Sequence, residues 1–309
     1  MAKHSLKITL ILMTMFIVTQ LIGLFVMNHY LSPDNEIPYG FEQQPIETVA
    51  FDIGFLISLV LSFVVAISLF LLLMKVKSPI FIRLWFFIVA ALAIGITFNV
   101  ILSKYILSGS TLLSALIGCL ISYLRIYRRN ILAHNIGELL IYPGIAAIFV
   151  GIISLPVIIL LLVIISAYDA WAVWHSGFMQ KMVKFQVDKV KTFSGFFIPV
   201  MDQKTRQLIK MLRQKYKTKK SLEKAAKKHK LRVQLAILGG GDIAWTMIPA
   251  GVILKTTGSI IAALIVIACA SLALLYLFVL SEKKKYYPAM PYLTIGIYIG
   301  MLISLWLFG

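Results

Sequence analysis

The sequence predicts an all-α polytopic membrane protein with nine transmembrane helices, a cytoplasmic N-terminus and a C-terminus outside. Three observations predict it. The chain of 309 residues is 60% hydrophobic, with only 14% charged residues, where a soluble chain carries about 25%. Its apolar runs are long enough to cross a bilayer, which takes about 20 residues. The loops between these runs alternate in charge.

The nine runs lie near Ile8–Met27, Phe51–Met74, Ile80–Leu102, Ile106–Leu124, Ile131–Ile152, Ser154–Trp174, Val233–Leu254, Ser259–Leu280 and Tyr292–Phe308. The first follows Lys3 and Lys7 like a signal peptide, but it is too long for one and no small-x-small cleavage site follows it. It is read as an uncleaved span. The stretch from Ile131 to Trp174 is 44 residues, which as one helix would reach about 66 Å, two crossings. Pro156 suits a hairpin between them, and Pro143 is expected to kink the fifth span.

Charge sets the orientation. The first loop holds Asp34, Glu36, Glu42 and Glu47 and no Lys or Arg, and Asp52 extends that acidic face. Lys75, Lys77 and Arg83 border the second loop, and Arg125, Arg128 and Arg129 the fourth. The sixth, between Trp174 and Val233, holds 17 Lys or Arg, and the eighth holds Lys283, Lys284 and Lys285. The odd loops are acidic, bare or hold a single lysine (Lys104, Lys255). Positive loops face the cytoplasm, and only nine spans keep the alternation unbroken. Three parts follow: residues 1–175 with six spans, a basic cytoplasmic loop at 176–230, and residues 231–309 with three spans.

Two of these spans carry an aspartate. Asp169 lies in the sixth and Asp242 in the seventh, each at a cost of about 2.5–3.5 kcal/mol on insertion scales. Residues that carry such a cost do chemistry or transport. The orientation puts Asp169 about one and a half turns from the inner end of its span. It puts Asp242 about two and a half turns from the inner end of the next, at similar depth. Two carboxylates brought together cannot both stay ionised, so the pair shares one proton. The ionised member then takes a proton from water while the protonated one donates to an amide carbonyl. Water is the nucleophile, so no Ser or Cys is required.

Gly239, Gly240 and Gly241 precede Asp242. Three glycines loosen a helix by about 1 kcal/mol each. They also leave an open backbone on which an unwound peptide could add as a strand. The same glycines in a membrane also serve close helix packing. Pro288-Ala289-Met290-Pro291 opens the ninth span on the cytoplasmic side, where two prolines hold the chain extended.

Other chemistries find less support. The five histidines (His4, His29, His134, His175 and His229) are scattered with no His-Glu-x-x-His, against a zinc protease. No Gly-x-Ser-x-Gly occurs. Cys119 and Cys269 fall in apolar runs and read as buried free thiols. Glu138 reads as an interfacial carboxylate near the inner end of the fifth span, and Gln20 and Asn99 as interhelical hydrogen-bonders. The alternative from another class is an ion-coupled transporter or cation channel built on the two carboxylates. The first half of the chain holds no counterpart to Gly239–Asp242, and nine spans do not divide evenly.

Within the basic loop, Phe193, Phe196, Phe197, Ile198, Pro199 and Val200 form an apolar patch. Leu208, Met211 and Leu212 recur at helical spacing among Lys204, Arg206, Lys210 and Arg213, an amphipathic helix suited to anionic lipid. Nucleic acid is not an expected partner.

Tyr168-Asp169 in one span, Gly239-Gly240-Gly241-Asp242 in the next, the long loop between them and Pro288-Ala289-Met290 opening the last span resemble the presenilin and signal-peptide-peptidase family. These are intramembrane aspartyl proteases, and the span plan looks most like that of an archaeal presenilin homologue. The resemblance implies catalytic Asp169 and Asp242. It implies substrate contacts at Tyr168, Gly239, Gly240, Gly241, Pro288, Ala289, Met290 and Pro291. Met290 stands where the family motif has Leu. Also implied are transmembrane helices as substrates, no cofactor, no metal and no obligatory protein subunit. The location would be a prokaryotic cell membrane. A cytoplasmic N-terminus matches presenilin, whereas signal peptide peptidase is inverted. Substrates would then have their N-terminus outside.

Overall fold

In the computed structural model, the described residues are 6–41, 53–76, 79–106, 109–128, 130–176, 194–200, 207–208, 211–212, 234–281 and 287–309. The expected basic loop at 176–230 lies outside them except at 176, 194–200, 207–208 and 211–212; of the expected amphipathic helix, Leu208, Met211 and Leu212 are described and helical, while Lys204, Arg206, Lys210 and Arg213 lie outside. Glu42, Glu47, Asp52 and Lys283 to Lys285 lie outside as well.

Among the described residues nine α-helices follow in order: α1 (Leu6–Tyr30), α2 (Ile53–Val76), α3 (Pro79–Tyr105), α4 (Ser110–Tyr127), α5 (Ile131–Ile152), α6 (Leu155–Trp171), α7 (Gly240–Thr257), α8 (Ile260–Leu280) and α9 (Met290–Phe308). Between α6 and α7 lie β1 (Gly195–Val200) and β2 (Gln234–Gly239). Seven helices are long and apolar enough to cross a membrane: α1, α3, α4, α5, α6 with its continuation to His175, α8 and α9. This is a multi-pass membrane protein. In α7, hydropathy is diluted by Asp242, Lys255 and three threonines.

Local sequence sets the helix ends. The Asn130 side chain caps α5 by accepting from the Leu132 N–H, 3.0 Å. Ile153 and Ser154 are extended, and Pro156 falls in the first turn of α6, where its missing N–H costs nothing. Pro143 is carried inside α5. Gly258 ends α7 with φ +66°, a conformation that glycine adopts without strain. Lys255 turns inward, and its Nζ donates to the carbonyls of Val150 and Gly151 at 3.1 and 3.0 Å. A cation there answers the orphan carbonyls at the end of α5.

Helices α5 and α7 are central. Helix α5 packs on α1, α3, α4 and α7, and α7 also packs on α1, α6, α8 and α9. Small residues permit this closeness. Gly144 of α5 lies against the Ala93 carbonyl of α3, and Gly118 of α4 against the Ala91 carbonyl. A Cβ at Gly300 of α9 would come within 2.8 Å of the Val266 Cα in α8. In lipid, such contacts hold helices together without a hydrophobic driving force. Gly144→Leu is therefore expected to lower stability by about 1–3 kcal/mol or more, read as a drop in the thermal unfolding midpoint in detergent. The expected interhelical bonds form. Gln20 Nε2 donates to the Ile243 carbonyl (3.1 Å) and the Thr246 hydroxyl (2.6 Å), and Asn99 Nδ2 donates to the Tyr30 hydroxyl (3.4 Å). Both thiols are free, but neither is buried as expected: Cys119 is exposed and Cys269 half-buried.

One element differs from the sequence expectation. The span expected from Val233 begins as a strand, and its helix starts at Gly240. β2 pairs antiparallel with β1, Gly195 opposite Gly239 and Val200 opposite Gln234. Apart from Phe193, which lies outside the described residues, the apolar patch of the loop falls in this β1. The residues Gln234-Leu235-Ala236-Ile237-Leu238 are apolar enough for a helix, but a partner strand and three glycines favour an extended backbone.

Candidate active site

Asp169 lies near the end of α6 and is 6% exposed. Its carboxylate accepts from the Met290 N–H at 3.0 Å and also from the Ala289 N–H. Ala289 and Met290 open α9, with Pro291 in the first turn. Asp169 thus caps the N-terminus of a neighbouring helix, where unpaired N–H groups and the helix dipole favour an anion. Three residues after Asp169 the helix widens into a π-helical turn, Ala172–Ser176.

Asp242 sits in the first turn of α7, not two and a half turns into it, because the helix begins at Gly240. Its side chain reaches back to the Gly239 N–H, the return half of a capping box. One turn on, Thr246 Oγ1 donates to the Asp242 carbonyl at 2.9 Å and receives Gln20. Helix α6 packs on α7 and α9, and the Asp242 carboxyl lies within coulombic reach of Asp169. Both carboxylates therefore stand at helix N-termini, one its own and one a neighbour's.

The other expected site residues divide. Pro288 and Met290 are buried, and Ala289, whose N–H joins that of Met290 on Asp169, is half-buried. Gly239 ends β2, and Gly240 is buried at the start of α7. A Cβ at Gly240 would strike the Tyr142 hydroxyl and come within 2.7 Å of the Ser194 Oγ. Gly241 is exposed, with only Trp245 at 4.0 Å from an added Cβ. Tyr168 turns outward, 41% exposed, its ring tilted on Trp171 at 6.3 Å.

Glu138 was expected at the membrane interface, yet it is fully buried among four donors. Oε1 accepts from Arg125 Nε at 2.8 Å and from Arg125 Nη2. Oε2 accepts from the Gly195 N–H at 2.7 Å and from the Tyr142 hydroxyl. His134 Nε2 lies 3.0 Å from the Gly195 carbonyl and 3.7 Å from Glu138 Oε1. Asn135 completes the row: its Nδ2 donates to the Phe197 carbonyl (3.1 Å) and its Oδ1 accepts from the Phe197 N–H (3.3 Å). Side chains of α5 thus occupy one edge of β1 and β2 the other. Among the described residues, the far edge of β2 has no strand partner. The signal in the sequence was His134, Glu138 and Tyr142, three polar residues at four-residue spacing on one face of an apolar helix. Among the described residues, no group of three or more His, Cys, Asp or Glu could hold a metal ion.

No family model matches the chain, and no curated protein matches it significantly. Solved structures do. A presenilin family intramembrane aspartate protease aligns with a TM-score of 0.59 and 13% identity, covering 97% of this chain and 99% of that one. Another structure of a presenilin family intramembrane aspartate protease, in a different space group, gives 0.57 and 14%, covering 96% of each chain. Over nearly its whole length this chain has the fold of a presenilin family intramembrane aspartate protease.

Proposed function

We propose that this chain is a presenilin-like intramembrane aspartyl protease that hydrolyses peptide bonds within transmembrane segments of other proteins. The supporting observation is that α6, which carries Asp169 near its end, packs on α7, which carries Asp242 in its first turn, with the two carboxyls within coulombic reach of each other. The shared fold supports it independently. Asp169 and Asp242 form the dyad, in Gly-x-Gly-Asp manner, with one proton between them. The ionised member accepts a proton from water as its oxygen attacks the scissile carbonyl carbon. The protonated member gives its proton to the carbonyl oxygen. Collapse of the resulting diol breaks the C–N bond: the carboxyl that took the water's proton gives it to the leaving nitrogen, and a diol hydroxyl gives its proton to the other aspartate as the C=O re-forms. The dyad is then ready for another water.

A transmembrane helix must unwind to be cut. The far edge of β2 offers its backbone to an added strand, which would run beside Gly239 toward Asp242. Pro288, Ala289, Met290 and Pro291 fix the opening of α9 against Asp169, and Tyr168 borders the entry. No cofactor or metal takes part. With α2 and α7 as spans, the chain crosses the bilayer nine times, N-terminus cytoplasmic, C-terminus outside. Residues 1–175 carry Asp169, 231–309 carry Asp242, and the basic loop at 176–230 rests on anionic lipid of a prokaryotic membrane.

The test is cleavage of a single-span reporter by purified protein in lipid vesicles. Product fragments with new termini inside the membrane segment are expected, and EDTA should change the rate less than twofold. No cleavage across several reporters, together with a cation flux that Asp169→Asn abolishes, would replace the protease with an ion-conducting function.

A further inference from the structure

We propose that Glu138, clasped by Arg125 and Tyr142, is a positioning residue that holds the Gly239–Asp242 turn in register for the reaction; this rests on the protease function proposed above. Glu138 touches neither aspartate. It acts through a short chain of contacts that leads to one of them.

Glu138 holds the Gly195 N–H at 2.7 Å, and His134 holds the carbonyl of the same residue at 3.0 Å. Gly195 has φ +131°, outside the range of residues with a Cβ. It stands opposite Gly239 in the ladder, and the Ser194 carbonyl beside it accepts from the Gly240 N–H at 3.2 Å. Gly239 in turn donates to the Asp242 carboxylate. A shift of residues 194–195 is therefore a shift of the first turn of α7. Tyr142 adds a second route, because its hydroxyl donates to Glu138 and packs under Gly240.

The sequence gives the network a cost that packing alone does not explain. Two formal charges and a phenol lie buried between apolar helices, where Leu or Met would fill the space without desolvation. Arg125 comes from the last turns of α4 and Glu138 from α5. The pair thus ties the α3–α4 hairpin to the strand beside the aspartate. All four donors meet both carboxylate oxygens in fixed directions, which suits a device that sets position.

The test uses the full chain in lipid with Glu138→Gln and Tyr142→Phe, and Tyr39→Phe as control. Tyr39 bonds Ser114 at the opposite end of α4, 2.7 Å. Two readouts are taken: reporter kcat and KM, and amide hydrogen exchange of residues 194–200 and 234–241. Expected are a kcat at least tenfold lower with KM within twofold, and at least tenfold faster exchange in those two segments, with exchange in α8 unchanged. Tyr39→Phe should leave both at wild-type values. Wild-type exchange there, or faster exchange with a wild-type kcat, in either folded variant overturns the proposal. Should Glu138→Gln fail to fold, Tyr142→Phe decides alone. A wild-type chain that cuts nothing refutes the protease, while exchange still reports whether the clasp exists.

Discussion

Replacing either aspartate by asparagine is expected to abolish cleavage, a fall of at least roughly 10³-fold in single-turnover rate, because one general acid and one general base are both required. Asparagine has the size of aspartate and keeps an oxygen to accept from the Met290 N–H in Asp169→Asn, or from Gly239 in Asp242→Asn. The helix N-termini stay capped and the fold stays intact. The carboxylate's desolvation cost disappears with the charge, so thermal midpoints should equal or exceed that of the wild type. Activity lost while stability holds or rises separates a catalytic role from a structural one. Cleavage retained by either variant would sink the dyad. Because one carboxyl must be ionised and the other protonated, the wild-type rate should pass through a maximum in pH and fall on both sides.

Gly240→Ala is expected to lower kcat by about 10²-fold, the cost of moving reacting groups by roughly an ångström. The added Cβ meets the Tyr142 hydroxyl and the Ser194 Oγ. Neither yields readily, since Tyr142 is tied to Glu138 and Ser194 adjoins Gly195 of the ladder. Relief must come from the backbone of α7, two residues before Asp242. Gly241→Ala adds the same atom, but its nearest neighbour is Trp245 at 4.0 Å, ordinary contact. It should cost less than tenfold. The two rates measured side by side tell steric displacement from a general intolerance of side chains in the glycine run. Equal losses at both positions would remove the steric account.

Much of the fold was legible because lipid leaves few alternatives. Backbone groups in a bilayer must bond internally, so a 20-residue apolar run such as that of α8 or α5 has one outcome. The break near Pro156 and the opening of α9 near Pro291 could be placed from proline chemistry alone. Asp169 and Asp242 could be singled out because an ionisable group in such a run is costly wherever it points. What the sequence by itself determined is therefore the helical plan and the candidates for chemistry.

Only the tertiary structure decided the surroundings. Residues 235–238 are apolar and would serve in a helix, but β1, some 40 positions earlier in the chain, turns them into a strand. That long-range pairing moved Asp242 from mid-helix to the first turn of α7. Glu138 looked interfacial because its four donors come from Arg125, Tyr142 and the backbone of Gly195, and a carboxylate's environment is set by residues distant in sequence. The capping of α9 by Asp169 has the same origin, a contact across 121 positions. Local propensity and hydropathy act over a few residues, whereas hydrogen bonds between buried polar groups form only where packing brings their partners together.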